Sequence, residues 1–95
     1  MKSIKPPHGF DISFTPEARE QFNALCDDPE QARRIMSLLA RLSVSGHIDG
    51  EEIDDTESSK LRLFSERGDR DWLSVVYSAQ TEIRVCSIRR WPFED

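Results

Sequence analysis

The sequence predicts a two-layer α+β domain ordered β-α-α-β-β-β, with a helical hairpin packed on an antiparallel sheet. Three observations carry this. Thr15-Pro16-Glu17 and Asp28-Pro29-Glu30 mark two helix starts. The spacing of apolar residues changes from helical to a period of two at Lys60. Three β-rich runs then follow, joined by short polar turns, which is the pattern of a meander.

The elements follow in order. Residues 1–9 read as a flexible arm, since Pro6-Pro7 favours extended backbone and Gly9 is a joint. The domain is expected over 10–95. Phe10, Ile12 and Phe14 alternate with Asp11 and Ser13, a strand with its apolar face inward. Thr15 can cap the first free amides of a helix, and Pro16 fits a first position whose N–H has no partner anyway. Ala18, Phe22, Leu25 and Cys26 form one helical stripe.

Asp28-Pro29-Glu30-Gln31 repeats the signal, with Gln31 as capping-box partner. Ala32, Ile35, Met36, Leu39 and Leu42 then face one way, with Leu38 beside them and Gly46 as the stop. The short link predicts antiparallel helices. Residues 46–59 read as an acidic connection pinned by Ile48 and Ile53.

In the meander, Leu61, Leu63, Leu73, Val75, Tyr77, Ile83 and Val85 are expected to cover one sheet face under the helices. Turns fall around Glu66-Arg67-Gly68-Asp69 and Ala79-Gln80. Lys60, Arg62 and Arg84 then share the open face, as do Phe64, Trp72 and Val76.

Net charge is -5, spread unevenly. Residues 1–59 hold 6 basic and 12 acidic side chains, whereas residues 60–90 hold 7 basic and 4 acidic. The C-terminal half can therefore present a positive surface on an acidic molecule. No apolar run approaches the roughly 18 residues of a membrane span. The first residues lack the apolar stretch of a secretory signal, so a cytoplasmic protein is expected. Cys26 and Cys86 read as reduced, half-buried thiols. No cysteine and histidine cluster has metal-ligand spacing, and no cofactor motif stands out. His8 and His47 read as incidental surface residues.

Phe14-Thr15-Pro16-Glu17-Ala18 resembles the start of the first helix in RelE/ParE family toxins. Lys60-Leu61-Arg62-Leu63, Ser74-Val75-Val76-Tyr77 and Val85-Cys86-Ser87-Ile88-Arg89-Arg90 resemble their C-terminal sheet. The element order is also similar, and the resemblance covers residues 10–92. It implies a RelE-like fold and the toxin of a type II toxin–antitoxin pair, held inactive by a cognate antitoxin. RelE-like members cut mRNA in the ribosomal A site without a metal, and the resemblance makes this endoribonuclease activity the expected one, with two alternatives. ParE-like members inhibit DNA gyrase and are not nucleases. A degenerate member kept as a binding or regulatory module is a third reading.

By position, Lys60 and Arg62 match the family's basic pair, and Arg89 or Arg90 its arginine after the last strand. The resemblance thus implies a catalytic set of Lys60, Arg62, Arg89 and Arg90. The chain departs from the pattern at Ser74, where the family often has arginine. It also lacks a terminal tyrosine, with Phe93 nearby instead, and is acidic where many of these toxins are basic.

Metal-free RNA cleavage needs a base for the 2′-hydroxyl, an acid for the leaving oxygen, and cations for the phosphorane. Lys60, Arg62, Arg84, Arg89 and Arg90 can supply cations, and Lys60 can act as base if neighbouring cations lower its pKa. Arg84, Trp72, Phe64 and Trp91 are the expected contacts to RNA or to a target. Exposed aromatics beside arginines suit base stacking and protein docking alike. The acidic balance favours docking.

Overall fold

The computed structural model describes residues 11–45, 50–56, 59–79 and 82–93, the side chains of 54–56 and 59–60 excepted. The expected arm, His8, Phe10, His47 and Ile48 lie outside the described residues. Strand β1 (Ile12–Phe14) leads into helices α1 (Pro16–Cys26) and α2 (Pro29–Ser45). Strands β2 (Glu51–Thr56), β3 (Ser59–Arg67), β4 (Asp71–Ala79) and β5 (Ile83–Pro92) complete the chain. The fold is α+β, with two helices and a five-stranded mixed sheet in the order β1-β5-β4-β3-β2. Among the described residues, only the β1–β5 pair is parallel.

Both helix starts form as their residues dictate. The Thr15 hydroxyl accepts from the Ala18 amide at 3.2 Å, with Pro16 opening the helix. Asp28 Oδ1 accepts from the Glu30 amide at 2.9 Å. Gln31 makes a different contact from the capping box expected of it: its Oε1 accepts from Arg34 Nη1 at 3.0 Å.

Ala18, Ile35, Leu38, Leu39 and Leu42 meet Leu73, Val75, Tyr77, Ile83, Val85 and Ile88 in one buried core. Met36, expected inside, is 56% exposed. Ile35, Leu38, Leu39 and Leu42 follow the i, i+3, i+4, i+7 spacing of one face, and Met36 falls a position off it.

Two further expectations are corrected. The connection over 46–59 contains strand β2, so the sheet has five strands. Its acidic residues have poor β propensity, which hides it from a propensity reading. Cross-strand charge compensates at Glu52, which lies opposite Arg62 with Arg62 Nη1 3.4 Å from Glu52 Oε1. Ile53, expected to pin this segment, sits at a break in the register and is 50% exposed.

The second correction is the face of β3. Arg62, Phe64 and Glu66 lie opposite the inward-facing Tyr77, Val75 and Leu73, so they belong to the helix side. Leu61 and Leu63 lie opposite Ser78 and Val76 on the open side. The hairpin sets this. Arg67 pairs with Trp72, and the Gly68 amide donates to the Asp71 carbonyl at 2.7 Å. With side chains alternating, one residue more or less in the turn would exchange every side chain of β3 between faces.

Candidate functional site

The sheet face away from the helices is built in rows across β3, β4 and β5. The rows are Leu61–Ser78–Arg84, Leu63–Val76–Ser87, Ser65–Ser74–Arg89 and Arg67–Trp72–Trp91. The face carries three arginines and no Asp, Glu, His, Lys or Tyr across these rows. Continued onto β2, the rows meet Glu51 opposite Leu63 and Asp54 opposite Leu61.

Trp72 and Trp91 are opposite one another and are 40% and 49% exposed. The Arg89 guanidinium lies 5.4 Å from the Trp91 ring centre, and that of Arg67 lies 5.0 Å from Phe93. The Ser65 and Ser74 hydroxyls are 2.9 Å apart and bonded.

A bulge in β5 decides which arginine reaches this face. Val76 pairs with Ser87 and Tyr77 with Val85, so Cys86 is the extra residue. The strand's alternation shifts there by one. Val85 and Ile88 both point into the core, Arg89 points outward and Arg90 inward.

Helix α1 holds the bulge. The Thr15 amide donates to the Val85 carbonyl at 3.0 Å and its hydroxyl to the Cys86 carbonyl at 3.2 Å. The Ile88 amide donates to Gln21 Oε1 at 2.7 Å. Burial pushes the Cys86 thiol up, against the nearby Arg84 charge.

On the helix side, Arg90 donates from Nε to Asp71 Oδ2, and Arg34 Nη1 donates to Asp71 Oδ1 at 2.6 Å. Asp71 is 2% exposed. Burial alone would raise its pKa; hydrogen bonds from Arg90 and Arg34 and their charges outweigh this and hold the carboxyl below its ordinary 3.8. The cluster borders a cavity of about 560 Å³ beside the Gly68 turn. A Cβ on Gly68 would come within 2.7 Å of Arg34 Nη2.

The expected catalytic set is therefore not gathered. Arg62 lies on the helix side, its Nη2 donating to the Gly50 carbonyl at 2.9 Å. Arg90 lies on the same side but opposite Leu73, whereas Arg62 is opposite Tyr77. That offset of four residues is about 13 Å along β4. Arg89 is on the other face. The Lys60 backbone sits opposite Asp55, and its side chain lies outside the described residues.

Of the expected contacts, Arg84, Trp72 and Trp91 share the open face. Phe64 does not: it packs against the core, with the Arg41 guanidinium 5.0 Å from its ring centre. Arg67 completes the open face and was not singled out by sequence, because its placement depends on the hairpin register. Asp71 and Arg34 were missed as well. Their signal was the alternation Asp71, Leu73, Val75, which puts a carboxylate on the core side.

Arginine stays protonated and has no acceptor. Serine and tryptophan do not titrate near neutrality. The face can hold anions and apolar groups, and its rows contain no side chain suited to shuttling a proton. Among the described residues, no group of three or more His, Cys, Asp or Glu side chains could hold a metal ion, and no helix is long and apolar enough to cross a membrane. Comparison of the chain with protein-family models, with curated proteins and with solved structures found no match.

Proposed function

We propose that this chain is the toxin of a type II toxin–antitoxin pair of the RelE/ParE kind, with the RelE-like version of the two-layer fold. In this reading it acts in the cytoplasm by binding a target, of which DNA gyrase is the family's example, and a cognate antitoxin restrains it. The observation that carries the binding mode is the open sheet face, where Arg67, Arg84 and Arg89 stand beside Trp72 and Trp91 with no proton-transferring side chain in the rows. Ribosome-dependent mRNA cleavage, the other family activity, needs an acid and a base beside its cations. The separation of Arg62 and Arg90 from Arg89 counts against it.

Induced expression in a bacterial host tests the toxin class: growth arrests, and co-expression of the neighbouring reading frame relieves it. Purified protein then inhibits supercoiling and leaves ribosome-bound mRNA intact. Cleavage that is lost in Lys60→Ala or Arg62→Ala would reinstate the nuclease. Growth indifferent to expression sinks both toxin readings.

A further inference from the structure

Helix α2 is apolar on a second side. Ile35, Leu38, Leu39 and Leu42 face the core, but Met36, Ala40 and Val44, spaced four apart, form a separate line on the outer side of the helix. All three are exposed, Met36 by 56% and Val44 by 48%. Arg33 continues the line one turn earlier and is exposed as well. The other charges of α2 are turned elsewhere. Arg34 donates to Asp71, Arg41 lies over the Phe64 ring, and Glu30 borders the Arg90 cavity. Beside this line, α1 shows Glu17, Glu20, Ala24 and Asp27 to solvent. Its one arginine, Arg19, is turned to the Phe14 ring on β1, 5.3 Å away. The outer surface of the helix layer is therefore acidic on α1, and apolar with one cation on α2.

We infer that the helix layer is an interface with a second copy of this chain, related by a two-fold axis parallel to the helices, so that α1 of each copy covers α2 of the other. Such an axis preserves helix direction. The short link makes α1 and α2 antiparallel within the chain, so α1 of the second copy also lies antiparallel on α2. Its residues then stand at the same level along α2 as in the hairpin itself. Asp27 of the second copy comes to the N-terminal half of α2, where Arg33 is. Ala24 of the second copy sits on the line that Met36 begins. Each contact is made twice, once on either side of the axis.

The division of character between the two helices selects this occupant, because one surface supplies both halves of the complementarity. An anionic membrane would accept the apolar line but would meet Glu17, Glu20 and Asp27 beside it. Size sets the strength. The 17 residues of α2 span about 25 Å and two helices about 20 Å across, so each copy offers about 500 Å². The total of about 1,000 Å² lies at the lower limit for a specific interface, which makes the dimer weak and concentration-dependent. The open sheet faces stay on the outside of the pair, so the inference does not depend on the function proposed for them.

Sedimentation equilibrium of the full chain reads the association. The average mass rises from monomer toward dimer between about 1 and 500 µM. Met36→Asp weakens the dimer about 10-fold or more, and so does Arg33→Glu. Arg33→Glu combined with Asp27→Lys restores it, because the charges are exchanged across the axis. Trp91→Ala, on the other side of the sheet, leaves it unchanged. Circular dichroism confirms that each variant is folded, and recovery in the exchanged pair shows that loss in the single variant is not a loss of fold. The inference is overturned if the chain stays monomeric at about 500 µM, or if Met36→Asp dimerises as well as the parent. A dimer abolished by Trp91→Ala overturns it in favour of contact through the open face. An exchanged pair that fails to recover overturns the placing of α1 on α2.

Discussion

The Ile88 amide donates to the carboxamide oxygen of Gln21 at 2.7 Å, so a side chain of α1 satisfies the backbone of β5 two residues beyond its bulge. This bond stands where the ladder between β4 and β5 slips. It ties the helix layer to the strand that sends Arg89 and Arg90 to opposite faces.

Gln21→Leu removes the acceptor and leaves the Ile88 amide beside apolar side chains. An unsatisfied buried donor costs about 1–3 kcal/mol. Urea denaturation of the variant should show a loss in that range, with Trp91 fluorescence altered as the strand end shifts. A midpoint equal to the parent's would mean that the bulge holds without the helix.

Asp71→Asn keeps the shape of the side chain and removes the charge between two guanidiniums. Breaking a fully buried pair costs about 3–5 kcal/mol. The Arg90 side chain is 44% exposed and stays partly solvated, so the expected loss is smaller, about 2 kcal/mol. Arg34, the more enclosed partner at 18% side-chain exposure, should be the costlier arginine to truncate. Equal losses for Arg34→Met and Arg90→Met would contradict that ranking.

The same carboxyl gives a signed pH dependence. Its folded pKa lies below the ordinary 3.8, so the charged form is favoured by folding. The resulting stability is fully present above the unfolded value and is lost as pH falls through the folded one. The stability gap between parent and Asp71→Asn should stay flat from neutral pH to about 5 and close below about 4. A gap that widens on acidification would refute the assignment.

The face of β3 is tested by two neighbours. Phe64→Ala should cost about 2 kcal/mol or more, part of the 3–5 of a fully buried phenylalanine. Leu63→Ser, on the open side, should cost less, about 1 kcal/mol. The opposite order would restore the register expected from sequence.

Sequence patterning reached both helices and the order of every element but β2, because these signals are local. Thr15-Pro16 and Asp28-Pro29 act within one turn, and the stripes of α1 and α2 need only their own spacing. Strand β2 escaped because its acidic residues have poor strand propensity, and Glu52 meets Arg62 only once β3 lies beside it. The face of β3 escaped because it depends on turn length rather than on the strand's own alternation: Leu61 and Leu63 look as inward as Arg62 and Phe64 look outward. The same non-local effects shaped the candidate site. Trp72 and Arg84 were legible from the alternation of β4 and β5 ahead of the bulge, whereas Trp91 was legible only as an aromatic beside arginines, because β5 runs on past the bulge to Pro92. Arg62 and Phe64 were assigned to the wrong side, and the different fates of Arg89 and Arg90 hang on one extra residue at Cys86.

The acidic strand β2 has one more effect, in the behaviour of many molecules together. It is one of the two edges of the sheet, and the other, β1, is only 3 residues long. A second chain pairing along β2 would meet Glu51 and Glu52 and then the break in register at Ile53. The segment that looks least like a strand thus gives the sheet an edge whose charge and bulge disfavour pairing with another chain.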